Sequence, residues 1–269
     1  MKWILYVLAG WSTLVTGLFL ASLSSNHLIQ GLVMSGLVIP IILYLYQHVY
    51  RLTGVKPKAP VYSWKRLHHF ISGVILAIAL ASLGFFIGNF QGWIDFEKWH
   101  SSELWFIALT LNILFAFFYE ALPEELGLRG MLYDVLRYRF TAWLSVLLQT
   151  LLFVAFTIAV GQIQVLFGLA PGVSINVFYI ILIFCFGICL QLLRLWTGSL
   201  WTSIGFHLAY LEIMRFAVSP HLKGVPPIIT YHESVPGIGT LISICMMIIG
   251  GILVSLIILG VKFFIRKSI

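Results

Sequence analysis

"WILYVLAGWSTLVTGLFLASLSSNHLIQGLVMSGLVIPIILYLYQHVY", residues 3–50, contains no Asp, Glu, Lys or Arg. A soluble domain carries roughly one charged residue in four, so a run of this length does not belong to a water-exposed surface. A bilayer-crossing helix needs roughly 20 mostly apolar residues. The run holds two such helices, divided by the polar break "SLSSN" at 22–26. Four further stretches are equally free of charge: 67–94, 140–193, 195–211 and 234–261. None alternates in polarity as the strands of a membrane barrel do. The fold class that follows is all-α, a polytopic membrane helix bundle.

Working outward, about eight transmembrane helices are expected: two within 3–50, then spans near 68–90, 104–138, 141–160, 174–194, 198–217 and 238–261. Loop charge orients them. With the N-terminus inside, twelve of the sixteen Lys and Arg residues fall on the inner side, chiefly in the basic loop 51–66. Cytoplasmic loops carry such an excess, so both termini are placed inside. The formal charge of +7 therefore sits at helix ends, where it meets anionic lipid. The lipid bilayer is the expected partner and nucleic acid is not. Lys2 leads straight into apolar sequence with no A-x-A-like site after it, so the first segment reads as a retained span. A cell-membrane, multi-pass protein is the expected localisation. Residues 1–269 read as a single integral membrane domain, with N-terminal helices and the basic cytoplasmic loop over 1–100, a core over 101–218, and an outer loop and last helix over 219–269. Cys185, Cys189 and Cys245 all lie inside apolar runs and read as small core residues.

Against this background "EALPEELGLRG", residues 120–130, places three glutamates and an arginine in the middle of a span. Ionisable groups in hydrocarbon are costly and mark function. On a helix, Glu125 and Arg129 are i,i+4 in the favourable acid-first order. Their pairing would lower the cost of burying both and leave Glu124 facing inward. A carboxylate stripped of water is a stronger base. Pro123 would loosen the helix beside it. Glu120 has no companion legible in the sequence, whereas Glu212 has Arg215 three residues on. His207 lies in "WTGSLWTSIGFHLAYLE", 196–212. By the helical rise it stands roughly 15 Å from its inner helix end, and Glu124 roughly 20 Å from Tyr138. The two are expected to meet in one cavity at mid-membrane. Glu124 and His207 with Glu120 or Glu212 make a poor zinc set, so no metal site is expected, and no cofactor is indicated.

Together these motifs resemble the CPBP family, the membrane endopeptidases that include the Ras-converting CAAX protease and bacterial Abi proteins. The family's EExxxR motif is matched by Glu124, Glu125 and Arg129, and its GSLW-type segment by Gly198, Ser199, Leu200 and Trp201 leading to His207. The resemblance covers roughly residues 100 to 215. It implies that Glu124 activates a water for attack on a peptide carbonyl and that His207 stabilises the oxyanion, with Glu125 and Arg129 in support. Two positions depart. FxxxH reads "FVAFT", with Thr157 for the histidine, and HxxxN reads "HLAYL", with Leu211 for the asparagine. Thr157 can orient a water but cannot shuttle a proton near neutral pH. Two readings follow. One is a divergent intramembrane endopeptidase acting on a membrane-associated peptide. The other is an inactive relative serving as a membrane regulator, scaffold or bacteriocin-immunity protein through a membrane protein partner. A proton-relaying transporter is a third class, and the absence of repeats or paired broken helices counts against it.

Overall fold

Each charge-free run becomes one helix, or two where a polar break divides it. The computed structural model describes residues 2–53, 62–169, 175–218 and 224–267. Among these are eight continuous helices: α1 (Lys2–Ser22), α2 (27–53), α3 (His68–Phe90), α4 (Ser102–Arg139), α5 (Ala142–Leu166), α6 (Val177–Thr197), α7 (200–218) and α8 (Ile238–Lys267). The break between α1 and α2 falls where "SLSSN" stands, and the Asn26 side chain caps α2 by accepting from Leu28 N–H at 2.9 Å. Helices α5 and α8 run about six residues past their expected ends, since nothing in their sequences stops them. Part of the basic loop, Lys56 and Lys58 included, and most of the "LAPG" turn lie outside the described residues, as do His221 and Lys223.

Seven of the eight helices are long and apolar enough to cross a membrane. The exception is α7, which carries Thr202, Ser203, His207, Glu212 and Arg215. It needs no lipid-compatible surface there, because residues 200–209 are all buried and Tyr210 is half-buried. The lipid-facing role falls to the other helices, whose Leu8, Ile71, Ile75, Phe86, Leu253 and Ile257 are exposed.

Small residues let the central helices approach. A Cβ on Gly73 of α3 would stand 2.1 Å from Thr202 O, and one on Gly205 of α7 would stand 2.2 Å from Phe70 O. Backbone therefore touches backbone at this crossing, the close packing that small residues permit in membranes. Helix α8 lies against α3 and α6, and α5 against α1 and α6.

The basic loops gather at one end. Trp3 packs edge-on against Phe140 at 5.5 Å. Arg66 donates to Gly198 O at 2.5 Å, Trp201 Nε1 to Ser63 O at 3.1 Å, and Lys262 Nζ to Trp196 O at 2.6 Å. This end holds the loops that the charge pattern assigned to the inside. At the other end two short strands, β1 (Ile94–Trp99) and β2 (Ile229–Glu233), pair antiparallel with an irregularity between Phe96 and Lys98. A helix-only reading did not anticipate this pair, which joins two loops distant in sequence.

Candidate active site

The site starts from a distortion in α4. Pro123 lacks the N–H that an α-helix interior requires. The helix does not break there. It passes through wide π-turns over Phe117–Ala121 and Glu125–Leu132 on either side of Leu122–Glu124. Such π-bulges frequently occur at functional sites. The carbonyls of Arg129 and Gly130 are taken up by Arg194 Nη1 of α6. Arg194 is fixed in turn by Asp134 at 2.5 Å, and Asp134 also accepts from the Tyr46 hydroxyl of α2. Arg194 is thus buried and structural, although the sequence presents it only as an inner-side charge.

Glu125 and Arg129 are fully buried and pair at 3.3 Å, as their spacing requires. The Arg129 guanidinium lies 3.9 Å from the centroid of the Phe153 ring, a cation–π contact that supports a charge where water is excluded. No hydrogen-bond partner among the described residues reaches Arg129 Nε or Nη2. His207 does not lean on Glu124. Its Nδ1 lies 3.2 Å from Glu125 Oε1, the same oxygen that faces Arg129. Glu125 therefore joins two other residues of the motifs: the arginine one turn on in α4 and the histidine of α7. An ionised carboxylate only accepts, so Nδ1–H is the donor and Nε2 is the ring's remaining polar atom.

The two short motifs have local explanations. Gly198 ends α6 in the left-handed conformation, φ +67°, and the Ser199 side chain accepts from Trp201 N–H to start α7. Gly-Ser is thus a stop and a start, which sets the rotation of α7 that brings His207 to Glu125.

Glu124 and His207 both line one cavity of about 350 Å³, with Glu120, Thr157, Tyr179, Tyr210 and Leu211 among its walls. Much of the rest is apolar, including Phe153, Phe156, Val160, Leu182, Ile183 and Phe186. Thr157, at the place of the missing histidine, donates its hydroxyl to Phe153 O at 3.1 Å, leaving only lone pairs for the cavity. Leu211, at the place of the missing asparagine, adds an apolar surface. Glu120 does have a companion: Arg215 of α7 at 2.6 Å. Arg215 stands 3.9 Å from Glu212, whose nearer partner is Asn112, donating to both carboxylate oxygens at 2.8 and 2.9 Å. The i,i+3 pair expected of Glu212 and Arg215 is therefore present, with Asn112 as a further and nearer partner. Glu120 and Glu212 thus each have a partner about a hundred residues away in sequence, beyond what spacing can reveal.

Among the described residues, no group of three His, Cys, Asp or Glu is placed to hold a metal ion. The three cysteines are free, with Cys189 buried beside α8.

Residues 104–211 match the family model described as Type II CAAX prenyl endopeptidase Rce1-like. No curated protein matches the chain. The matched segment runs from the first turn of α4 to the residue after Tyr210, and so contains every member of the Glu124, Glu125, Arg129 and His207 constellation.

Proposed function

From membership of the Rce1-like type II CAAX prenyl endopeptidase family, carried by residues 104–211, we propose that this multi-pass membrane protein is a divergent intramembrane peptide hydrolase of the cell membrane. The observation that carries the reading is one cavity lined by both Glu124 and His207. Its substrate is a peptide carrying an apolar or lipid-modified segment, which the Phe, Leu, Ile and Val walls would accept. Residues 101–218 form the working core, and the flanking helices hold it in the bilayer.

The chemistry follows from the charges. With Glu124 and Glu125 ionised, Arg129 and a protonated His207 neutralise them. His207 then donates from both nitrogens, Nδ1–H to Glu125 and Nε2–H to the cavity. Glu124 takes a proton from water as the water oxygen bonds to the peptide carbonyl carbon. The carbonyl π electrons move onto oxygen, where Nε2–H stabilises the charge. Collapse breaks the C–N bond, and Glu124 returns its proton to the leaving amine. Glu125 and Arg129 are positioning residues, and Thr157 is a water-orienting acceptor.

A second reading is favoured by Leu211 and Thr157, which leave the cavity without two polar groups of the family pattern. On it the protein is an inactive relative that binds a membrane partner. Reconstitution discriminates the two. Purified protein in vesicles is mixed with a quenched fluorogenic peptide ending in a farnesylated Cys-a-a-X sequence. Cleavage is expected in wild type and its loss in Glu124→Ala of unchanged folding. Equal rates in wild type and Glu124→Ala would refute the hydrolase.

A further inference from the structure

We infer that Tyr210 is the second oxyanion donor of this cavity, acting beside His207 in the place that Leu211 leaves without a polar group. The inference rests on the hydrolase reading and deepens it. A tetrahedral oxyanion is usually held by two or more donors, and phenols serve this purpose. Glu120 and Glu124 only accept when ionised. The Thr157 proton is committed to Phe153 O. His207 supplies one donor, from Nε2. The Gln164 amide also lines the cavity, but it stands seven residues beyond Thr157 on α5, roughly 10 Å of helix rise. The hydroxyls left are the two phenols, Tyr179 and Tyr210, and neither phenol makes a hydrogen bond among the described residues.

Geometry separates these two. Tyr210 follows His207 by three residues on α7, and residues at i and i+3 share a helix face. Both rings rest on Phe186 of α6. Tyr210 lies against it at 4.6 Å and 35°, and His207 meets it edge-on at 5.2 Å and 82°. One aromatic side chain therefore sets the orientation of both groups towards the cavity they line. The family pattern has its amide at i+4 from the histidine. A side chain at i+3 reaches the same face, and the longer Tyr spans the extra distance. Tyr179, in the first turn of α6, lines the same cavity but stands on a different helix from His207.

In the reaction, the oxygen that gains the carbonyl electrons accepts two hydrogen bonds, from His207 Nε2–H and from the Tyr210 hydroxyl. Neither proton is transferred, so both donors are unchanged when the C–N bond breaks.

The test uses full-length protein in vesicles and the same farnesylated fluorogenic peptide. Tyr210→Phe removes one oxygen and keeps the ring on Phe186. The expected result is a fall of about 10²–10³-fold in kcat with KM within about twofold, because the donor acts on charge formed only in the transition state. Tyr138→Phe, a change of equal size at an exposed position outside the cavity, is expected to stay within about twofold of wild type, and a fall confined to Tyr179→Phe would assign the donor to the other phenol and overturn the inference. The double variant Tyr210→Phe with Leu211→Asn should recover at least tenfold over Tyr210→Phe alone, because the amide restores a donor on that face. Glu124-dependent cleavage that survives intact in Tyr210→Phe would overturn the inference and leave the hydrolase standing. Cleavage absent from wild type sinks both.

Discussion

The crossing of α3 and α7 offers a perturbation whose size can be worked from coordinates. Gly205→Ala places a Cβ 2.2 Å from Phe70 O, and Gly73→Ala places one 2.1 Å from Thr202 O. Close carbon-to-carbonyl contacts lie near 3.3 Å, so either variant must separate the helices by about 1 Å. The obstacle is backbone on both sides, and no side chain can rotate away. Overpacking of a tight core costs about 1–3 kcal/mol. The shift also bears on chemistry, since His207 is two residues from Gly205 and its Nδ1 stands only 3.2 Å from Glu125. A hydrogen bond does not survive a further ångström, and misplacement of this size can cost about 10²-fold in rate. Thermal unfolding of the purified protein in detergent, followed by loss of tertiary near-ultraviolet signal, reads the first effect. Peptide cleavage in vesicles reads the second. Because one separation relieves both clashes, Gly73→Ala with Gly205→Ala should cost less than the two singles added. If both single variants unfold at the wild-type temperature, the backbone contact is not what holds α7, and the reasoning fails.

Two further outcomes are expected. Arg129→Met leaves Glu125 buried without its cation and should destabilise by about 3–5 kcal/mol, whereas Glu125→Gln with Arg129→Met removes both charges and should recover part of that in the same unfolding assay. Outside the membrane, Tyr231 of β2 donates to Val218 O at 2.9 Å, and burial, with the Glu233 charge beside it, pushes its phenol up to about 12. A raised phenol favours the folded state below its ordinary value near 10 and loses that contribution as pH rises through about 12. Ultraviolet difference titration of wild type against Tyr231→Phe should show one phenolate forming near pH 12, and its appearance near pH 10 would refute the packing of this loop.

Local chemistry explains what could be read early. Charge-free runs make helices in a bilayer because an unpaired backbone has no other solution there, and that rule depends on composition alone. It located eight helices and the break at "SLSSN". The Glu125 and Arg129 pair was equally legible, since i,i+4 spacing needs no partner element. Depth along two helices brought Glu124 and His207 to the same level, and one cavity does hold both. Rise per residue fixes height but not rotation, however. So the contact of His207 with Glu125, in preference to Glu124, was out of reach of the sequence.

The sequence by itself determined that this is a membrane helix bundle, which of its loops are basic, and that charge is buried near residue 125. Each of these rests on composition or on interactions within one turn. Tertiary structure decided the rest. It paired Glu120 with Arg215, Glu212 with Asn112, and Asp134 with Arg194 and Tyr46. It also widened α4 into π-turns around Pro123 and set Tyr210 beside His207 on Phe186. The reason is physical: a buried charge must find a partner somewhere, but which partner depends on how helices rotate and cross, and at the α3–α7 crossing that is fixed by glycines whose only role is to be absent.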